Sequence, residues 1–571
     1  MQEIYFFMRK FLSPEFTINS KDDVLPWFNQ LLNREIQNVA EYKLFLENVS
    51  ELDSAIGEDI AWRYIRMTCD TLNKEFETSY LNFVQEIQPH LSPFEDALNR
   101  KILETPFMAD LEHDSAYHIY FRSLRGAVEL FREENIPIQA ELQSMAQEYS
   151  AIQGALSVHY KDKEYTMQQA SNFLLQTNRN IRKDVWENMH NLRMKDAEKL
   201  EDLFDNMVQK RHQIAINAGF ENYRDYSFKA LGRYDYSAED CFRFHDAIEQ
   251  NVVPLLRNQY KKRKDLLQLN ELKPWDTGVD PLGREPLKPF DGGEDLLTKT
   301  LTCLTDTDPF FGACLQTMKE RKLLDLESRK GKAPGGYNYP LAESNVPFIF
   351  MNASGNLRDV ETLVHEAGHA VHSFLMAPLA LNAFKNTPSE VAELASMSME
   401  LITMDAWNIY FNNEAETKRA QLEQLEGVIT TLPWIATVDA FQHWVYVNPN
   451  HTREERATKW LELTKRFGSG MVDYGGFEDA LKYSWHKQLH IFEIPFYYIE
   501  YGFAQLGAIG MWKLFSENKT NGIDLYKKAL TKGYTVSIPE VFKTAGLSFN
   551  FSPEYVYQLF DFVNQNIQTL D

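Results

Sequence analysis

The amino-acid sequence predicts a mainly α-helical protein of two or more packed lobes with a small β-sheet. Three observations carry this. The chain has 571 residues, far more than one hydrophobic core usually organises. Its 26 glycines and 22 prolines make up roughly 8% of the chain against a typical ~12%, which favours long helices with few turns. Apolar residues recur three and four apart over most of the length, as at Phe45, Val49, Leu52 and Ile56 or Leu200, Leu203, Phe204 and Met207, the period of an amphipathic helix.

In chain order, residues 21–265 read as successive helices with breaks near Leu91–Pro93, Asn135–Pro137 and Ser157–Thr166, the last a short extended piece. Asp276–Gly293 is a linker, with Pro281, Pro286, Pro289 and a Gly pair. One helix is expected up to about Lys322, then a glycine-rich loop, GKAPGGYNYP (331–340). A strand, VPFIFMN (346–352), follows. Its unpaired edge is expected to be free to take an extended peptide by β-addition. The remainder returns to helix. The division expected is an N-terminal helical region, 1–165, and a second region, 166–571, with the lobes interleaved.

Hydrophobic residues at 44% and aromatics at 13% exclude global disorder. A net charge of −23 excludes a nucleic-acid-binding surface and disfavours an anionic membrane. The most apolar stretch, Ile491–Phe515, is interrupted by Glu493, Glu500, Gln505 and Lys513, so it is expected to be a buried helix and not a membrane span. The start, MQEIYFFMRKFLSPEF, has no secretory h-region. Cys69, Cys241, Cys303 and Cys314 form no CxxC pair and read as reduced thiols of a cytoplasmic protein.

His365-Glu366-Ala367-Gly368-His369 is an HExxH motif. On a helix, residues i and i+4 lie within about 40° of each other and ~6 Å apart along the axis. Two imidazoles so placed can close on one Zn²⁺ at ~2.0–2.1 Å, and Glu366 is placed to take a proton from water at the metal. Asp359 and Glu361 suit the helix N-terminus. The competing reading is a solvated, histidine-bearing helix face. A catalytic zinc needs a third protein ligand and an open position. The extended metzincin pattern would need Gly at 372 and His at 375, where this chain has His372 and Leu375. The segment SEVAELASMSMELITM (389–404) reads instead as a second helix with Glu390, Glu393, Met397 and Glu400 on one stripe. Glu393 is the ligand candidate because Ala392, Leu394 and Ala395 make its turn small and apolar; a solvated stripe acid is the alternative.

HEAGHAVHSF followed by PSEVAELASMSME resembles the thimet-oligopeptidase/oligoendopeptidase F family of zinc peptidases, closest to its oligoendopeptidase F or Pz-peptidase-like branch. GKAPGGYNYP, VPFIFMNASGNLRDVETLVHEAGHA, VDAFQHWVYVNPNHTREER and HIFEIPFYYIEYGFAQLG extend the resemblance over about residues 331–507. It implies ligands at His365, His369 and Glu393 for one zinc ion, and Glu366 as catalytic base. It also implies a two-lobed helical body with a deep channel admitting oligopeptides, and a small β-sheet beside the HExxH helix. Glu400 keeps the family's second acid, with a structural or ligand-orienting role. In the family, a His and several Tyr on the segment matching 490–502 stabilise the oxyanion and bind substrate backbone. Tyr501 matches that tyrosine and Tyr498 lies one turn earlier. His490 stands one residue closer to Tyr501 than in the thimet-oligopeptidase branch, and Ile494 replaces another Tyr. Read without the resemblance, these aromatics are core.

His372 is expected to orient a ligand or wall the channel, because a fourth protein ligand would close the position water needs. Tyr497, Gly335 and Tyr337 are substrate-side candidates. Lys332 precedes the glycines and no GK[ST] follows, so 331–337 is not a P-loop. His443, His451 and His486 share no helical metal spacing with one another and are taken as structural or substrate-side. The function expected is a zinc-dependent endopeptidase of oligopeptides, with collagen-derived peptides one substrate class suggested by the nearest branch. The rivals are a metallocarboxypeptidase and a non-catalytic helical peptide-binding protein. Oligomeric state is not readable.

Overall fold

The computed structural model describes residues 9–329, 331–333 and 335–570; the first half of the N-terminal stretch read for a leader, residues 1–8, lies outside them. The protein is mainly α-helical. The N-terminal helices run Lys21–Leu32, Val39–Cys69, Lys74–Asn82, Gln88–Glu104, Ser115–Leu130 and Asn135–Gly154. Phe28, Tyr42, Phe45, Leu52 and Phe121 bury their apolar stripes in a core of their own, joined by Leu381 and Phe384 from far along the chain. Glu51, buried in that region, accepts the backbone N–H groups of Lys10, Phe11 and Leu12, which ties the N-terminal segment down.

The expected break at Leu91–Pro93 is not there. Pro93 lies inside the Gln88–Glu104 helix, and the irregularity falls one turn upstream, in a π turn over Phe83–Ile87. The extended piece at 157–166 is a hairpin of β1 (Ser157–Tyr160) and β2 (Lys163–Thr166). The single helix expected to Lys322 is two, Gly292–Thr307 and Pro309–Glu320. Pro309 forces the residue before it into an extended conformation, and Asp308, at φ −157°, caps the second helix by accepting from the N–H of Phe310.

A three-stranded sheet has the order β3 (Leu324–Glu327), β5 (Val346–Ala353), β4 (Tyr337–Leu341). β5 pairs parallel with β3 and antiparallel with β4. Two expectations are corrected here. The 331–340 loop ends in strand β4, and β5 has no unpaired edge to offer a peptide: it is the central strand, apolar and buried from Val346 to Met351, as a strand packed on both faces must be.

Five further helices frame the rest: α1 (Ala238–Asn251), α2 (Leu357–Met376), α3 (Ser389–Ile402), α4 (Glu414–Val447) and α5 (Tyr498–Glu517). They share one large core with β5. The apolar stretch 491–515 is not one helix. Pro495 cannot continue a helix, Phe496 takes φ 68°, and the chain turns between the short helix Leu489–Glu493 and α5. Among the described residues no helix is long and apolar enough to cross a membrane.

Candidate active site

α2 begins three residues after β5. Asn356 caps it, and the Asp359 carboxylate accepts the backbone N–H groups of Ser354, Gly355 and Asn356. The strand therefore delivers the helix at a fixed angle, with His365, Glu366 and His369 about two to three turns further on. α3 lies against α2 because of one residue. A Cβ at Gly368 would stand 2.6 Å from Ser396 Cα and 2.9 Å from the Ala395 carbonyl oxygen, so only glycine permits this approach.

That approach brings Glu393 to the histidines. One potential ligand atom from each of His365, His369 and Glu393 lies within 4.8 Å of the other two. Glu393 Oε2 is 3.3 Å from His365 Nε2 and 3.7 Å from His369 Nε2. The imidazoles meet edge to face at 4.9 Å. The Tyr497 hydroxyl donates to Glu393 Oε1 at 2.8 Å, and Ser396 Oγ lies 3.1 Å from Oε2. His365 Nδ1 donates to Glu400 Oε1 at 2.7 Å, and Gln424 donates to the other Glu400 oxygen at 2.8 Å. Glu390, the rival ligand, faces elsewhere: its carboxylate accepts from Tyr236 at 2.5 Å. Two imidazoles and a carboxylate with one open side are a donor set suited to a divalent ion that keeps a free coordination position.

Two adjoining cavities, of about 870 and 460 Å³, share Gly336, His365, Glu366 and Tyr501 as lining. Tyr498 and His490 wall the larger; Tyr337, His372 and Tyr497 wall the smaller. Tyr501 and His490 come together, the hydroxyl 3.4 Å from Nε2, while Gln488 stands 2.9 Å from His490 Nδ1 and is itself held by Trp434. Gly335 is in neither lining; its carbonyl accepts from Asn352. The Tyr337 ring stacks on Phe350 at 4.7 Å and its hydroxyl meets Thr68 at 2.6 Å. His372 is buried, and no hydrogen-bond partner reaches its Nε2 among the described residues.

The electrostatics are divided. Burial pushes the Glu366 carboxyl up to about 7, with Glu393 and Glu400 adding to it against His365. Burial opposes ionisation of Glu393, yet His369 and His365 hold it at about 2. Burial pulls His369 and His490 down to about 4 and His372 to about 3, so these rings are neutral at pH 7 and offer a lone pair. Tyr501 is pushed well above the ordinary phenol value by burial and by Glu393 and stays a donor.

Sequence reasoning missed three supports. Asn338 donates to the Glu366 backbone carbonyl at 3.1 Å; Gln424 and Gln488 brace Glu400 and His490. Asn338 alone had a visible signal, its place in the quoted YNYP segment.

A family model described as peptidase family M3 matches residues 172–558, and one described as the peptidase M3 N-terminal domain matches 13–131. The chain belongs to peptidase family M3. Among curated relatives, oligopeptidase PepF of Bacillus subtilis is 24% identical over 403 residues, 69% of this chain and 58% of that protein. An oligoendopeptidase F homolog of Borreliella burgdorferi is 25% identical over 375 residues, 63% of this chain and 60% of that protein. The matched regions thus span about three fifths of these relatives' length. Among solved structures, Pz peptidase A with an inhibitor superposes with a TM-score of 0.92 at 25% identity, covering 98% of this chain and all of that one. Oligoendopeptidase F of Enterococcus faecium, at 15% identity and a TM-score of 0.65, covers 96% and 97% and shares the fold. This M3 member therefore sits with the oligoendopeptidase F and Pz-peptidase branch.

Proposed function

We propose that this M3 family member is a zinc-dependent endopeptidase that hydrolyses internal bonds of oligopeptides. The observation that carries the reading is the convergence of His365, His369 and Glu393 within 4.8 Å beside a cavity wall that includes Glu366 and Tyr501. Those three side chains would hold one zinc ion. When bound, zinc supplies Lewis acidity toward the scissile carbonyl and acidifies water. Glu366, on the cavity wall beside the three ligands, accepts the proton of the attacking water and returns it to the leaving amine. The Tyr501 hydroxyl donates to the oxyanion developing on the substrate carbonyl, and neutral His490 orients that hydroxyl from 3.4 Å. Tyr497 is committed to Glu393 and orients the ligand carboxylate. Tyr498, His372 and Tyr337, as cavity walls, contact the peptide or shape its path, and Gly335 acts only by shaping the loop beside Gly336.

Residues 1–165 back the site from behind, Thr68 holding the Tyr337 hydroxyl at 2.6 Å, and 166–571 carry the site and line both cavities. The free thiols of Cys69, Cys241, Cys303 and Cys314 fit a reducing, cytoplasmic setting. The test uses internally quenched peptides of about 5–20 residues, collagen-derived sequences among them, with both ends blocked. Turnover that requires zinc and survives C-terminal amidation is expected. Loss on amidation would make this a carboxypeptidase, undiminished turnover in verified metal-free protein would remove the zinc mechanism, and zinc-loaded protein that binds without cutting would be a peptide-binding protein.

A further inference from the structure

α1 and α4 pack side by side, and each presents two potential ligands at i and i+4: Cys241 and His245 on α1, Asp439 and His443 on α4. Ligand atoms of Cys241, Asp439 and His443 lie within 4.8 Å of one another, and all three residues are buried. His245 Nε2 is 2.8 Å from Asp439 Oδ2. The second Asp439 oxygen and both ring nitrogens of His443 make no hydrogen bond among the described residues, although Asp439 is 0% exposed and His443 4%. His443 Nε2 stands 3.3 Å from Asp439 Oδ2 without the alignment of a bond. Phe242, Phe228 and Phe496 pack on the His443 ring at 4.9–5.7 Å, and Phe467 on His245, so water has little access. Buried polar atoms left unpaired in an apolar shell are costly; an i, i+4 pair puts two ligands on one helix face, and helical bundles build metal centres from side chains on facing helices.

We propose that Cys241, Asp439 and His443, completed by His245 either as fourth ligand or as the group that orients Asp439, form a second, structural zinc site separate from His365, His369 and Glu393. A thiolate and a carboxylate neutralise a divalent cation, and the two imidazoles add no charge, so the occupied centre is neutral in its dry surroundings. Thiolate, imidazole and carboxylate are the donors zinc prefers, and with His245 as fourth ligand no position is left for chemistry. The centre would clamp α1 to α4 behind the turn that launches α5, where Phe496 donates its N–H to Gln442 at 3.2 Å and packs on His443.

The test is metal content and the spectrum of the intact chain. Expressed with zinc, the wild-type protein should carry two equivalents, and His365→Ala/His369→Ala one. Expressed with cobalt, that double variant should keep a thiolate-to-cobalt charge-transfer band in the near ultraviolet, because the HExxH site contains no sulfur. Cys241→Ser should lose the band and one equivalent while retaining the other. Cys69, Cys303 and Cys314 stand in no such cluster among the described residues. A folded wild-type chain with one equivalent and no band, or a band that survives Cys241→Ser, overturns the proposal; if the variants do not fold, the wild-type cobalt spectrum decides.

Discussion

His365 Nδ1 sits 2.7 Å from Glu400 Oε1, a contact between residues 35 apart that fixes which imidazole nitrogen faces Glu393. A carboxylate can only accept, so Nδ1 carries the proton and Nε2 is left to bind metal. Glu400 is in turn held by Gln424. Glu400→Ala frees the ring to rotate and should weaken zinc retention by about 10–100-fold, the usual effect of losing such a support, whereas Glu400→Gln still offers an accepting oxygen and should lose less. Chelator competition reads both, and zinc affinity unchanged in Glu400→Ala would make this contact incidental.

Glu366→Gln and Glu393→Ala should separate base from ligand. The amide introduced by Glu366→Gln cannot take a proton, so that variant should bind zinc normally and lose most of its turnover. Removing the Glu393 carboxylate leaves two imidazoles and should release the metal. Zinc content and peptide turnover, measured on the same preparations, check the pair; if Glu390→Ala and not Glu393→Ala loses zinc, the ligand assignment is wrong.

The parts of the fold readable from sequence are those set by neighbours along the chain. HExxH on α2 and the acidic stripe of α3 are local periodicities, and both helices form where they are expected. That α3 lies close enough to bring Glu393 to the histidines depends on the missing Cβ of Gly368, whose partner Ser396 is 28 residues away. Strand β5 was visible as an apolar run, but its two pairing partners were not, because a buried central strand and an edge strand can share one composition. The turn at Pro495–Phe496 had a signal in Pro495 that the apolar run around it masked. Cys241/His245 and Asp439/His443 are each local spacings, yet only packing of α1 on α4 makes them one cluster.

Tyr501→Phe removes a hydroxyl that stands beside His490 and lines both cavities. If it donates chiefly to the oxyanion, kcat should fall by roughly 10²–10³ with little change in KM. A variant within a factor of about two of the parent would return Tyr501 to the aromatic core.

Gly368→Ala should damage the site more than the fold. The new Cβ meets backbone, not a flexible side-chain end, so α2 and α3 must move apart at a cost of about 1–3 kcal/mol. The same movement carries Glu393 away from His365 and His369. Thermal unfolding should show a modest loss of stability and chelator competition a clear loss of zinc affinity. Intact zinc binding in the variant would mean that the ligand set tolerates helix separation.

Acid should remove the support that Asp325 gives the loop beside Gly336. Asp325, on β3, is held at about 2 against the opposing effect of burial by Arg329 and Lys332. Lys332 Nζ is fully buried, lies 2.8 Å from Asp325 Oδ1 and also caps the Glu327 carbonyl at 2.9 Å. This is where the lysine of the GKAPGG segment is used. Because the folded value lies below the ordinary ~3.9, the carboxylate adds stability that is fully present above about pH 4–5 and is lost as pH falls through about 2. A shift of that size is worth at most ~2.6 kcal/mol, and screening at this partly exposed site brings it to about 1 kcal/mol. Asp325→Asn should therefore be less stable than the parent by about that amount in urea at pH 7, with the difference falling below about pH 4 and nearing zero only at about pH 2. A difference that stays constant over that range would show that Asp325 acts through packing and not through its charge. The same variant should raise KM more than it lowers kcat, since the loop walls the cavity at Gly336 while His365, Glu366 and His369 are carried by a different element.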